Sequence, residues 1–193
     1  MNYGIIKYIV GWTLILEAAL MVPSAIVALI YGEAAVWDFV ETIGLCFLAG
    51  MALKLKKPGS QVFFTREGFV SVALSWVALS VMGGLPFIFS GAIKNPVDAL
   101  FETVSGFTTT GASILSSVED LPRSILFWRS FTHWIGGMGV LVFLLTLIPM
   151  SGGFHMNIMK AESPGPSVSR LVPKVRSTAK ILYQIYIGMT VLE

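Results

Sequence analysis

The chain has 193 residues and a formal net charge of +2; 55% of its residues are hydrophobic, only 12% are charged, and the mean hydropathy is +0.79. A soluble domain carries about a quarter charged residues, so this composition excludes an ordinary water-soluble fold and points to a membrane protein. The one cysteine, Cys46, excludes an intrachain disulfide framework and any CxxC metal site, and its apolar neighbours suit a small packing residue.

Apolar segments follow in chain order. The first covers 5–31 and the second 36–53, with Asp38 and Glu41 at the start of the second. The third is 68–93 and the fourth 124–150; a polar stretch, 151–176, precedes a fifth that starts near Ser177. A spanning helix needs about 20 residues, with a range of about 17–25, and each of the four complete segments is long enough. No signal-peptide cleavage pattern follows the first, so it reads as a retained helix. Lys7, then Lys54, Lys56, Lys57 and Arg66, then Lys160, Arg170, Lys174, Arg176 and Lys180 place ten of the thirteen basic residues on one side. By the positive-inside rule that side, with the N-terminus, is cytoplasmic. The other side holds Glu33, Asp38, Glu41, Asp98, Glu102, Glu119 and Asp120 against Lys94, Arg123 and Arg129. Two readings of this acidic rim stay open. It concentrates cations at a mouth, or acidic residues are simply tolerated there, because they contribute little to topology.

Residues 95–113, NPVDALFETVSGFTTTGAS, lie between the third and fourth segments. Asn95 suits an N-cap, Pro96 the first helical position, and Asp98 the positive first turn. Val97, Leu100, Phe101 and Val104 recur at helical spacing, which predicts a half-helix over about 96–106. Its reach of about 16 Å is half a bilayer core, so it enters from the outer side and must return. Non-helical backbone at that depth must be buried in protein or line a wet cavity. TTTGA offers carbonyl and hydroxyl oxygens with little bulk, and Gly111 can take a positive φ. Rings of such carbonyls replace an ion's hydration shell in potassium-channel filters, and the partially negative end of the half-helix favours a cation. Thr108, Thr109, Thr110, Gly111 and Ala112 are therefore the candidate filter, against the plainer reading of a turn after a short helix. Gly106 and Gly111 also form GxxxxG, but Ala112 and Ser113 replace the Lys-Ser/Thr of a phosphate loop.

Gly136, Gly137 and Gly139 in the fourth segment read as sites of close helix approach, with a gating hinge as the sharper alternative. His133 reads as a hydrogen-bonded packing residue rather than a pH sensor or cation contact. His155 has no second ligand nearby and marks no metal site. The stretch 154–176 alternates basic with apolar residues, as a segment on the anionic inner leaflet does, or one that docks a cytoplasmic regulator.

FETVSGFTTTGAS, then WRSFTHWIGGMGVLVFLLTLIP, then MKAESPGP, with Pro23 and the YGE at 31–33, closely resemble the TrkH/KtrB/HKT superfamily of cation transporters, the TrkH branch above all. The resemblance implies an all-α membrane protein. A leading pair of transmembrane helices (1–53) precedes a potassium-channel-like unit of helix, re-entrant pore loop and helix (68–150, filter 108–112). A cytoplasmic linker (151–176) leads to the start of a second unit (177–193). Family members resemble four fused pore units around one path, so the other loops are expected from sequence beyond residue 193 or from other chains. The chain is expected to be an N-terminal portion of a longer protein. The resemblance implies potassium as the transported substrate, no cofactor, no metal other than potassium and no nucleic acid. It also implies a homodimer of the full-length protein, a nucleotide-binding RCK-type regulatory partner in the cytoplasm, and a multi-pass place in a bacterial-type plasma membrane. Glycine at 111 favours potassium over sodium by the family pattern, and both channel-like and ion-coupled (symport) transport stay open. Because leading helices stand apart from the pore in this family, Glu17 is expected to be a partnered, structural carboxylate. A homotetrameric channel of single pore units is the nearest rival. A membrane enzyme finds no nucleophile–base pair, metal cluster or phosphate loop, and a non-transporting anchor would not need the half-helix and threonine loop.

Overall fold

The structure, a computed structural model, describes residues 2–55, 65–139 and 175–192. Among the described residues it is all-helical: α1 Tyr3–Ile30, α2 Ala35–Lys54, α3 Thr65–Phe89, α4 Pro96–Phe107, α5 Arg123–Met138 and α6 Val175–Leu192. The first three are long and apolar enough to cross a membrane; α4, at 12 residues, reaches only about 18 Å. The expected polar stretch 151–176, including His155, lies outside the described residues except for the first turn of α6.

In a bilayer, helices associate through close packing rather than water exclusion, and small residues set the approach. A Cβ on Gly11 would stand 2.7 Å from the Gly50 carbonyl oxygen, and one on Gly50 2.7 Å from that of Gly11, so α1 and α2 touch backbone to backbone. Near the same crossing the Lys54 ammonium lies 3.5 Å over the Trp12 ring. Thr13 Oγ1 and Ser75 Oγ, 3.2 Å apart, join α1 to α3. The half-helix α4 leans on α3 at Gly83, where a Cβ would meet Phe107 Cε2 at 2.9 Å and Thr103 Cγ2 at 3.0 Å. From the other side α5 closes in: Trp128 Nε1 donates to the Gly83 carbonyl at 2.9 Å. The Phe107 ring packs edge-on between Trp76 and Trp128, at centroid distances of 6.2 and 6.4 Å. Aromatic pairs of this kind add to simple area burial.

The leading hairpin is stitched to the pore unit by Glu33. Its Oε1 accepts from the Arg123 N–H at 2.6 Å, and its Oε2 from the Ser124 N–H at 3.1 Å and from the Ser124 hydroxyl. A carboxylate thus caps the N-terminus of α5 from a distant turn, satisfying N–H groups with no intrahelical partner and complementing the helix dipole. On α5, stacked Phe131 and Trp134 rings extend to Tyr186 of α6.

Two expectations are corrected. The fourth segment does not run as one helix over 124–150: α5 ends at Met138, and Gly139 takes φ +70°, a conformation that glycine adopts without strain. Residues 140–150 lie outside the described residues. Among the described residues Glu17 has no partner: it is 1% exposed, and neither of its oxygens has a hydrogen-bond partner there. Its Oε1 lies against Gly83, 3.0 Å from where a Cβ would stand.

Candidate functional site

Asn95 caps α4, its side chain accepting from the Val97 N–H at 3.0 Å, and Pro96 is the first helical residue. The apolar stripe of α4 faces outward: Val97, Leu100, Phe101 and Val104 are exposed, while Ala99, Glu102, Thr103, Ser105, Gly106 and Phe107 are buried. Small and polar residues face the other helices, as the close approach to α3 and α5 requires. A Cβ on Gly106 would run into the Thr132 hydroxyl, and one on Gly136 into the Phe107 carbonyl.

At its C-terminal end the helix closes in a specific way. The Thr110 N–H bonds to the Ser105 carbonyl and the Thr109 N–H to that of Gly106, both at 2.9 Å. These are the two crossed bonds of a Schellman cap, with Thr109 at the left-handed position, φ +55°. A β-branched residue with positive φ is an outlier, and such strain concentrates at functional sites. The Thr108 N–H likewise bonds to the Val104 carbonyl at 2.9 Å. In a trans peptide the N–H and the preceding C=O point opposite ways. With the amides of 108, 109 and 110 turned back into the helix, the carbonyls of Phe107, Thr108 and Thr109 point away from its end. Gly111, at φ +75°, continues the turn.

The candidate residues differ in what their oxygens are free to do. The Thr108 hydroxyl donates to the Val104 carbonyl at 2.7 Å and so accepts from the Thr110 hydroxyl, 2.8 Å away, which ties both side chains to the end of the helix. Ala112 has its carbonyl taken by the Ser105 hydroxyl at 2.6 Å. Residues 108–113 are exposed on this chain. Gly136 and Gly137 are contact positions, the latter against the Tyr186 hydroxyl, while Gly139 ends α5.

From sequence Glu102 stands only in the acidic rim and Arg129 only among the basic residues opposite; their pairing is not legible there. Glu102, 2% exposed, accepts from Arg129 Nε at 2.6 Å, from the Ser113 hydroxyl and from the Ile114 N–H at 3.1 Å. A basic residue inside the apolar segment 124–150 calls for a counter-charge, which is the signal that could have paired Arg129 with Glu102. His133 Nδ1 donates to the Arg129 carbonyl at 3.0 Å, a local packing bond. Outside the loop, an open cleft is lined by Glu33, Asp38, Ser90, Asp120 and Arg123.

The model of the TrkH family, described as a cation transport protein, matches residues 36–193. The Trk system potassium uptake protein TrkH of Escherichia coli (strain K12) is 39% identical over 196 residues, covering 99% of this chain and 40% of that protein. An uncharacterized cation transporter of Methanocaldococcus jannaschii, MJ1485, is 35% identical over 191 residues, covering 98% of this chain and 39% of that protein. The crystal structure of the potassium transporter TrkH from Vibrio parahaemolyticus superposes with a TM-score of 0.79 at 32% identity, covering 100% of this chain and 38% of that one. The chain therefore spans about two-fifths of the length of these relatives. An all-helical membrane fold and a family match over most of its length establish that the chain belongs to the TrkH family of cation transport proteins.

Proposed function

We propose that this chain supplies one pore unit of a Trk-type potassium uptake system in the plasma membrane, and that carbonyls at the end of α4 select the ion. The observation that carries the reading is the Schellman closure of α4, which turns the Thr109 and Thr110 amides inward and leaves the Thr108 and Thr109 carbonyls directed away from the helix, beside exposed Thr110 and Gly111. A cation there meets carbonyl dipoles and the negative end of a helix together, with no covalent chemistry. The relatives named as potassium uptake proteins support potassium as the ion. Thr109, Thr110 and Gly111 line the path in this reading, with Thr108 and Ala112 as its inner and outer supports. One loop closes no ring, so the other loops come from outside these residues. The N-terminus, 54–67 and 151–176 face the cytoplasm, where a nucleotide-binding regulatory protein docks on a dimer. The test is complementation: the full-length protein in cells lacking potassium uptake restores growth at low potassium and rubidium accumulation. Restored membrane abundance without either would refute the proposal.

A further inference from the structure

The loop at 108–112 hangs between two anchors. Its inner end is fixed by the Schellman bonds of Thr109 and Thr110. Its outer end is fixed by Ser105, whose hydroxyl holds the Ala112 carbonyl at 2.6 Å, and by Glu102, which holds Ser113 and Ile114. Gly111 is the residue between these anchors, and its φ of +75° depends on where both lie. Glu102 in turn is oriented by Arg129 of α5 through a 2.6 Å ion pair, with Glu102 1% and Arg129 21% exposed at the side chain.

Resting on the filter reading above, we propose that Glu102 is a positioning residue for selectivity, holding the outer end of the loop in register with Arg129 as its counter-charge. Glu102 touches no candidate ion-lining carbonyl. It acts through Ser113 and Ile114, and a shift of either anchor re-aims the peptide on each side of Gly111. The α5 helix thereby acquires a mechanical link to the loop through two side chains, Arg129 and Glu102. A charge-assisted hydrogen bond is stronger than a neutral one, so the carboxylate sets this register better than an amide does.

The experiment measures potassium and sodium uptake and membrane abundance for the full-length protein carrying Glu102→Gln, Ser113→Ala, Arg129→Gln, the Glu102→Gln/Arg129→Gln pair, and Gly111→Ser as benchmark. At normal abundance Glu102→Gln lowers the potassium-to-sodium preference about tenfold, the scale of one charged hydrogen bond. Ser113→Ala lowers it by less, and the double variant is no worse than Glu102→Gln alone, because both changes break one linkage. Ser113→Ala carries the test if Glu102→Gln fails to reach the membrane. If Gly111→Ser shifts the preference while Ser113→Ala and any abundant Glu102→Gln leave it unchanged, the positioning role is overturned and the filter reading stands. If none of them shifts it, the filter reading falls and this proposal with it.

Discussion

Gly83→Ala tests the packing that holds the half-helix in place. An added Cβ would stand 2.9 Å from Phe107 Cε2, 3.0 Å from Thr103 Cγ2 and 3.0 Å from Glu17 Oε1, against an ordinary contact of 3.4–4 Å. Each neighbour must retreat by about 0.5 Å, and the Phe107 ring cannot, because Trp76 and Trp128 flank it. The remaining route is to move α4 off α3, which also stretches the Trp128–Gly83 hydrogen bond. Overpacking of this kind costs about 1–3 kcal/mol and a weakened buried bond about 1 more, so a loss of roughly 2–4 kcal/mol is expected. Two other helical glycines serve as controls. At Gly84 the nearest atom, Thr103 Oγ1, lies 3.2 Å away and the next 3.5 Å, so Gly84→Ala costs about 1 kcal/mol or less. Gly44, also helical, has nothing within 4 Å, and Gly44→Ala gains about 0.5–1 kcal/mol from helix propensity. Thermal unfolding of the detergent-purified full-length protein should order Gly83→Ala lowest, then Gly84→Ala, then Gly44→Ala. A Gly83→Ala protein as stable as Gly84→Ala would refute the packing argument.

Glu33→Ala removes three hydrogen bonds at the N-terminus of α5 and should cost about 2 kcal/mol in the same melting assay, with Glu33→Gln in between; no loss would mean that the cap carries no weight. Glu17→Met should leave stability unchanged or raise it by up to about 2 kcal/mol, since a buried carboxyl without a partner contributes no bond. A substantial loss would reveal a partner outside the described residues. Gln61→Cys in a Cys46→Ala background should resist an impermeant thiol reagent applied to intact cells, and labelling from outside would overturn the assigned topology.

Most of the helical order was legible because each segment carries its own signal. The apolar runs at 5–31 and 36–53 correspond to Tyr3–Ile30 and Ala35–Lys54. Asn95 and Pro96 mark the start of α4 through local capping chemistry, and the positive φ of Gly111 follows from glycine beside a helix end. What stayed hidden depends on contacts distant in sequence. Glu33 caps a helix some 90 residues away, and Glu102 meets Arg129 across two elements; single-sequence periodicity carries neither pairing. The strained Thr109 was hidden for another reason: the left-handed place in a Schellman cap is normally glycine's, and nothing in TTTGA says the cap closes two residues before Gly111. Glu17 was expected to be partnered on the strength of the family resemblance, whereas among the described residues its environment is the Gly83 notch.

The claim that the α4 terminus selects the ion is tested most directly by Gly111→Ser beside Thr110→Val, with potassium and sodium uptake measured in the full-length protein at matched membrane abundance. A Cβ at φ +75° strains the loop and re-aims its carbonyls, so Gly111→Ser should lower the potassium-to-sodium preference. Thr110→Val should change it less, because valine keeps the backbone carbonyl that meets the ion in this account and removes only the side-chain hydroxyl. An unchanged preference in Gly111→Ser, or a larger effect from Thr110→Val, would contradict selection by backbone carbonyls at this loop.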